Sequence, residues 1–157
     1  MKKLLFLLIL LLISSCTYTG ETTLEKELEG PYLVTKVVDG DTADIVIDGV
    51  TERLRFSGIN TPETEECYYQ EAKDKLRELI LDKEIYIQPD RTNRGKYGRL
   101  LRYIYVDDLL VNQYLVENGY AKTYHKYKED TSKYRQLARS EAEAIRLNLG
   151  LWGSCQT

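Results

Sequence analysis

Three short segments place charged side chains beside turn-forming glycine or proline residues, at the ends of apolar or β-branched runs. In chain order they contribute Asp41, then Arg55 and Glu63, and finally Arg99. Carboxylate oxygens are ligands for hard cations such as calcium, and the planar guanidinium group matches the oxygens of a phosphate. If strand ends bring these side chains together, the set is suited to phosphodiester chemistry.

The elements that would position these residues are five strands and three helices. Alternating apolar residues predict strands over residues 32–38, 44–47, 50–56, 84–88 and 100–106. Asp48-Gly49 is a strong hairpin signal between the second and third strands. Helical periodicity predicts helices over residues 65–81, 110–118 and 132–147, the last with an inner face of Tyr134, Leu137, Ala138, Ala142 and Ile145. The expected fold is α+β but mainly β: a five-stranded OB-type barrel with three packed helices, over residues 31–153.

The first 30 residues carry features of an export signal and are not expected to form part of the folded domain. Lys2 and Lys3 precede an apolar run over residues 4–13, which is too short to span a bilayer but typical of a secretory signal. Ser14-Ser15-Cys16 resembles a bacterial lipobox, so we predict a lipoprotein signal peptide over residues 1–15 and lipidation of Cys16. The alternative is an ordinary signal peptide with an incidental cysteine. A polar tether over residues 16–30 would then join the domain to the outside of the cell membrane through fatty acyl chains such as palmitate.

Charge and cysteine content limit the partners and the compartment. The 157-residue chain has a net charge of −3, an unusual sign for a protein that binds phosphates. The densest basic segment, residues 91–102, is the expected local contact with a nucleic acid; a solvated loop is the alternative. Cys67 and Cys155 follow the signal peptide, and an oxidising compartment would allow them to pair, although two free thiols remain possible.

The ordered motifs Asp-Gly-Asp-Thr, Asn-Thr-Pro-Glu and Lys-Tyr-Gly-Arg resemble the staphylococcal (micrococcal) nuclease, or thermonuclease, family over about residues 32–152. The resemblance implies that Asp41, Asn60 and the carbonyl of Thr61 hold Ca²⁺. Asn60 departs from the family, which usually has an aspartate there. Glu63 would activate or orient the attacking water, and it would also begin the first helix.

Further roles follow from the same resemblance. Arg55 and Arg99 would grip the scissile phosphate, and Lys96, Tyr97 and Tyr127 would bind the nucleotide. His125 falls where the family has a tyrosine, and either stacks on a base or has no role. The family cleaves DNA and RNA with little sequence preference and leaves 3′-phosphates, and we expect a monomer.

Two other classes of protein are alternatives to an enzyme. A catalytically silent nucleic-acid-binding module could use the same barrel, but the presence of Arg55, Glu63 and Arg99 favours catalysis. A structural envelope lipoprotein would account for the anchor and the acidic charge, but it leaves the ordered motifs without a purpose.

Overall fold

The structure, a computed structural model, describes residues 28–155. The predicted signal peptide, Cys16 and most of the predicted tether lie outside the described residues. The strands are β1 (Glu29–Val37), β2 (Thr42–Ile47), β3 (Val50–Phe56), β4 (Ile59–Asn60), β5 (Glu84–Arg94), β6 (Leu100–Val106), β7 (Leu109–Leu110) and β8 (Lys122–Thr123). The helices are α1 (Tyr69–Ile80), α2 (Val111–Glu117), α3 (Tyr134–Arg146) and α4 (Leu151–Ser154), with a 3₁₀ helix at His125–Asp130.

Five strands close into a mixed barrel, which confirms the predicted fold. Antiparallel pairs join β3 to β2, β2 to β1, β1 to β5 and β5 to β6. A parallel pairing of β3 with β6 closes the ring. The β2–β3 hairpin turns at Asp48 and Gly49, whose φ angles of 50° and 80° are the positive values that a tight two-residue turn requires.

The barrel interior and the inner faces of the helices form one apolar core. Alternate residues of each strand point inward, as Leu54 and Phe56 on β3 and Ile85 and Ile87 on β5 do. The helices add Leu76, Ile80, Val111, Leu115 and Leu137. Fully burying one such side chain contributes about 1.5–3 kcal/mol, so closure of the barrel supplies much of the stability that holds the loops.

Asn112 joins α2 to the barrel at a fully buried position. Its Oδ1 accepts a hydrogen bond from the Ile104 amide at 2.9 Å, and its Nδ2 donates to the carbonyls of Ser57 at 3.0 Å and Arg102 at 3.3 Å. One side chain thus satisfies three backbone groups on two neighbouring segments. This contact fixes the end of β3, from which the site loops depart.

Three predicted boundaries were wrong. The first helix begins at Tyr69 rather than at residue 65, because Glu65 and Tyr68 have φ angles of 73° and 72°, which interrupt a helix. Strand β5 continues past Pro89 to Arg94 through an irregularity in its pairing with β6. Strand β1 starts at Glu29, within the segment predicted as tether.

The buried face of α3 also differs from the predicted one. It consists of Leu137, Ser140, Glu141 and Ala144, whereas Ile145 is 47% exposed. Glu141 is buried because its Oε1 accepts a hydrogen bond from the Thr123 amide at 2.9 Å and its Oε2 lies 3.0 Å from His125 Nε2. Among residues 28–155, no helix has both the length and the apolar composition needed to cross a bilayer.

Candidate active site

The main cleft, of about 730 Å³, opens where loops and strand ends from several parts of the chain converge. Its lining includes most of the predicted site residues: Asp41, Arg55, Asn60, Glu63, Lys96, Tyr97, Arg99 and Tyr127. Asp41 precedes β2, Arg55 is near the end of β3, and Asn60 ends β4. The barrel therefore gathers side chains that are up to 86 positions apart in sequence (Asp41 to Tyr127).

Arg55 is the centre of a polar network at the floor of this cleft. Its Nη1 donates hydrogen bonds to the carbonyls of Phe56 and Ile59, both at 2.8 Å. Its Nη2 donates to Asn60 Oδ1 at 2.8 Å and lies 3.1 Å from Asp41 Oδ2. The Arg55 side chain is only 12% exposed, so its guanidinium is held in one orientation before any ligand arrives.

The Asp41 carboxylate is held equally firmly. Its Oδ2 accepts hydrogen bonds from the Thr61 amide at 3.0 Å and from Thr61 Oγ1 at 3.2 Å, and its Oδ1 accepts from Thr42 Oγ1 at 3.1 Å. Gly40 makes this approach possible, because a Cβ there would lie 2.8 Å from three Thr61 side-chain atoms. The loop before β2 and the turn after β4 can meet only if residue 40 lacks a side chain.

Burial raises the pKa of Asp41, and the nearby Asp39 carboxylate raises it further. The Arg55 guanidinium and the hydrogen bonds from Thr61 and Thr42 oppose this shift. A bound cation would act in the same direction as Arg55, because it too stabilises the ionised carboxylate.

The predicted metal ligands are oxygens, the donor type that a hard cation prefers. Asp41 Oδ2 and Asn60 Oδ1 lie close together, because both contact Arg55 Nη2, and the Thr61 amide donates to Asp41. Within the described residues, no three His, Cys, Asp or Glu side chains form a metal-binding cluster. An ion held by the predicted ligands would take the Asp41 carboxylate and neutral oxygens from the protein and complete its shell with water, a set that calcium accepts because of its flexible coordination.

Glu63 lies on the rim of the main cleft, but not at the start of a helix as predicted. It belongs to a turn in which Glu66 Oε2 accepts a hydrogen bond from the Glu63 amide at 2.8 Å, and the Glu66 amide donates to the Glu63 carbonyl at 2.9 Å. Because α1 begins six residues later, the helix dipole contributes nothing to Glu63. Its exposed carboxylate can accept a proton from water.

Arg99, Lys96 and Tyr97 come from one turn between β5 and β6. The Gly95 amide donates to the Arg99 carbonyl and the Gly98 amide donates to the Gly95 carbonyl, both at 2.9 Å. The Arg99 guanidinium carbon lies 5.9 Å from the centre of the Tyr97 ring, and Lys96 Nζ lies 5.6 Å from the same centre. Within residues 28–155 Arg99 has no ion-pair partner, so it differs from Arg55 in being free to bind an anion.

The aromatic wall of the main cleft consists of Tyr124 and Tyr127, whose ring centres are 5.4 Å apart in an edge-to-face arrangement. Sequence reasoning found Tyr127 but missed Tyr124, because the comparison of motifs selected His125 instead. His125 does not line the main cleft; its Nδ1 lies 2.9 Å from the Tyr134 hydroxyl and its Nε2 contacts Glu141. Lys126, also missed, lines the main cleft beside Tyr127.

The basic segment over residues 91–102 is not a single surface. Arg94 donates to both Glu52 carboxylate oxygens, at 2.9 and 2.8 Å, so its charge is largely offset. Arg102 is buried, donates to the carbonyls of Asn93 and Leu101, and has a pKa lowered by burial. Arg91 lies outside the main cleft. Of the five basic residues, Arg94, Lys96 and Arg99 line the main cleft, and Arg94 is already paired with Glu52.

A disulfide bond joins Cys67, which precedes α1, to Cys155, which follows α4. The bond closes a loop of 88 residues in sequence. It connects the turn that carries Glu63 to the end of the described chain.

Comparison with known proteins agrees with this site. The family described as staphylococcal nuclease homologue matches residues 53–154. The chain belongs to the staphylococcal nuclease family. The thermonuclease of Staphylococcus intermedius is 34% identical over 128 residues, which are 77% of this chain and 75% of that protein.

Two relatives from Bacillus subtilis (strain 168) are similar over 124 residues, 74% of this chain. SPbeta prophage-derived endonuclease YokF is 33% identical with 42% of its length covered, and endonuclease YncB is 32% identical with 59% covered. The chain thus spans less than two thirds of either Bacillus protein. Membership of the staphylococcal nuclease family, predicted from the ordered motifs, is confirmed, and the enzyme class is that of a nuclease.

Proposed function

We propose that this nuclease is calcium-dependent and cleaves both DNA and RNA by attack of water on phosphorus, leaving 3′-phosphate ends. The observation that supports the proposal most is the main cleft itself. It brings Asp41 and Asn60, with Thr61 bonded to Asp41, together with Arg55, Arg99 and the exposed Glu63 carboxylate.

Each residue has a distinct task in this proposal. Asp41, Asn60 and the Thr61 carbonyl would hold calcium, which supplies a Lewis acid for a phosphoryl oxygen when bound. Glu63 takes a proton from the attacking water. The oxygen of that water bonds to phosphorus, the bond from phosphorus to the 5′ oxygen breaks, and the 5′ oxygen leaves with a proton from solvent.

The two arginines contribute differently because their surroundings differ. The Nη groups of Arg55 are already directed at Phe56, Ile59, Asn60 and Asp41, so Arg55 orients the cation set and offers Nε to the phosphate. Among the described residues Arg99 has no such partners, and it can present its whole planar fork to the phosphoryl oxygens. Charge stabilisation of this kind is usually the largest catalytic contribution. Lys96, Tyr97, Tyr124 and Tyr127 would hold the adjoining nucleotides, with the rings available for stacking.

The location of the enzyme is a second part of the proposal. The signal-like N-terminus, the lipobox-like Cys16 and the Cys67–Cys155 disulfide support an exported lipoprotein outside the cytoplasm. Labelling with a radioactive fatty acid tests the anchor, since Cys16→Ala should abolish the label. Label retained in that variant would exclude acylation at Cys16.

Activity is tested by incubating the protein with plasmid DNA, and separately with a structured RNA, in calcium and then in excess chelator. We expect calcium-dependent loss of both substrates and 3′-phosphate ends detectable by mass spectrometry. Glu63→Gln should reduce turnover strongly without changing the unfolding midpoint, because the substitution preserves shape and removes basicity. A gel shift without cleavage would instead identify a silent binding module.

A further inference from the structure

A second concave site, here called the α3 cleft, lies beside the main cleft and takes no part in the proposed chemistry. It has a volume of about 910 Å³ and is formed by residues 134–140 of α3, the segment before α3, Gln113 of α2 and Arg91 of β5. Its basic lining residues are Arg91, Lys128, Lys133, Arg135 and Arg139. Glu129 is the one carboxylate among the described residues that line it.

Most of this positive charge is not neutralised within the protein. Arg135 and Arg139 are exposed, and in residues 28–155 neither has an ion-pair partner. Lys128 lies 3.9 Å from Glu129, but the two side chains are 58% and 91% exposed, a weak contact in water. Arg91 donates to the Glu129 carbonyl, which carries no net charge. In a chain of net charge −3, these cations form a local positive site.

The spacing of Arg135 and Arg139 lowers the stability of the helix, so a role in folding does not explain it. Arg135 and Arg139 lie four residues apart on α3 and therefore project side by side from one helix face. Like charges at this spacing destabilise a helix. Elsewhere α3 uses the opposite arrangement, since Arg146 pairs with Glu143 three residues before it. Binding of an anionic ligand would explain why Arg135 and Arg139 occur side by side on this helix.

The α3 cleft and the main cleft adjoin. Thr131 lines both, and Asp90 of the main cleft is followed directly by Arg91 of the α3 cleft. The ridge between them is held in place, because Thr131 Oγ1 donates to the Tyr127 carbonyl at 3.0 Å and the Ser132 amide donates to Asp90 Oδ1 at 2.9 Å. A polyanion that is bound in the main cleft and extends past this ridge would contact the α3 cleft.

We propose that the α3 cleft binds the phosphate backbone of single-stranded nucleic acid several nucleotides from the scissile bond. This inference rests on the proposed function, because the ligand is the substrate of the main cleft. Arginines in a groove beside a stacking surface are the elements that bind single strands without regard to sequence. The α3 cleft therefore contributes to the affinity for long substrates and leaves the chemical step unchanged.

The test uses the full chain with Arg135→Gln/Arg139→Gln and a control, Lys36→Gln/Arg77→Gln, which removes two exposed charges outside both clefts. Binding of a fluorescent oligonucleotide of about 16 nucleotides is followed by anisotropy in chelator, so that cleavage cannot interfere. We expect the α3 variant to bind about tenfold more weakly at low salt, with a salt slope lower by about 1.4, since each single-strand phosphate contact contributes about 0.7. In calcium, KM should rise for the same oligonucleotide, while cleavage of a dinucleotide should not change.

The outcomes separate this inference from the proposed function. If the wild type binds the oligonucleotide but cleaves nothing in calcium, the proposed function fails, and the loss of binding in the α3 variant still supports the second site. Equal affinities and equal salt slopes in the α3 and control variants would overturn the inference. A loss of binding to phosphatidylglycerol vesicles, with oligonucleotide binding intact, would also overturn it and assign the α3 cleft to a membrane surface.

Discussion

Replacing Asn60 by aspartate tests the cation site where this chain departs from its family. In the structure Asn60 Oδ1 accepts a hydrogen bond from Arg55 Nη2 at 2.8 Å, and the same Nη2 lies 3.1 Å from Asp41 Oδ2. Asn60→Asp changes an amide oxygen into a charged one at nearly constant shape. The added negative charge should strengthen calcium binding, but it should also strengthen the attraction between residue 60 and the Arg55 guanidinium.

The size of the effect follows from these two opposing attractions. Two unit charges about 4 Å apart attract by about 1 kcal/mol in water and about 4 kcal/mol at an effective dielectric constant of about 20, and a divalent ion doubles both values. Calcium that binds residue 60 must displace Arg55 from it, and the loss of the new attraction to Arg55 offsets roughly half of that gain. We therefore expect a net gain of about 1–4 kcal/mol, or a calcium Kd about 5- to 1,000-fold lower.

Calorimetric titration of the wild type and of Asn60→Asp measures this difference without relying on activity. Asn93→Asp is the matched control, because it makes the same chemical change at an exposed position that does not line the main cleft. The half-saturating calcium for cleavage should fall in parallel, with a smaller change in kcat at saturating metal. Equal calcium affinities for Asn60→Asp and the wild type would mean that residue 60 is not a ligand and that the assignment of the cation set is wrong.

Three further predictions concern other parts of the structure. Arg99→Lys should reduce kcat by about 10²-fold, as loss of one transition-state donor does, with the calcium affinity unchanged by calorimetry; a near-wild-type rate would exclude phosphate binding by Arg99. Asn112→Ala removes three hydrogen bonds and leaves buried backbone groups unpaired. It should therefore lower the free energy of unfolding, measured in urea, by roughly 3 kcal/mol or more. A loss below about 1 kcal/mol would show that the α2 contact is dispensable. The variant Cys67→Ser/Cys155→Ser should unfold about 2–4 kcal/mol more easily, because the bond constrains an 88-residue loop, yet retain its kcat at 25 °C; unchanged stability would mean that the cysteines are not paired in solution.

The barrel strands could be predicted from the sequence because residues that are neighbours in the chain specify each strand and the β2–β3 turn. Alternation of apolar residues marks the five barrel strands, and Asp48-Gly49 has the backbone conformation that its residue types favour. The start of α1 could not be predicted in the same way. Glu65 and Tyr68 adopt positive φ angles although neither residue type favours them, so the local sequence does not specify the conformation of this turn.

The positions of Asp41 and Arg55 in the main cleft were easier to predict than those of the aromatic residues around the start of the 3₁₀ helix. Arg55 and Asp41 come together because Thr42 pairs with Arg55 in the β2–β3 ladder, a register that the hairpin sets. Where the chain enters the 3₁₀ helix at His125, by contrast, neighbouring side chains point to different sides. Tyr124 therefore lines the main cleft while His125 contacts Glu141 of α3, and the order of residue types alone does not distinguish the two.

Charge along the chain is a poor guide to charge at a site, and this explains how an acidic protein can serve a polyanionic substrate. In the basic segment over residues 91–102, Arg94 is paired with Glu52 and Arg102 is buried, while Arg135 and Arg139, far away in sequence, have no ion-pair partner within residues 28–155 and line the α3 cleft together with Arg91. Electrostatic attraction falls off within about 10 Å at ordinary salt concentrations. A substrate therefore responds to the cations in the two clefts rather than to the net charge of −3, and its affinity should depend on salt as if the protein were basic.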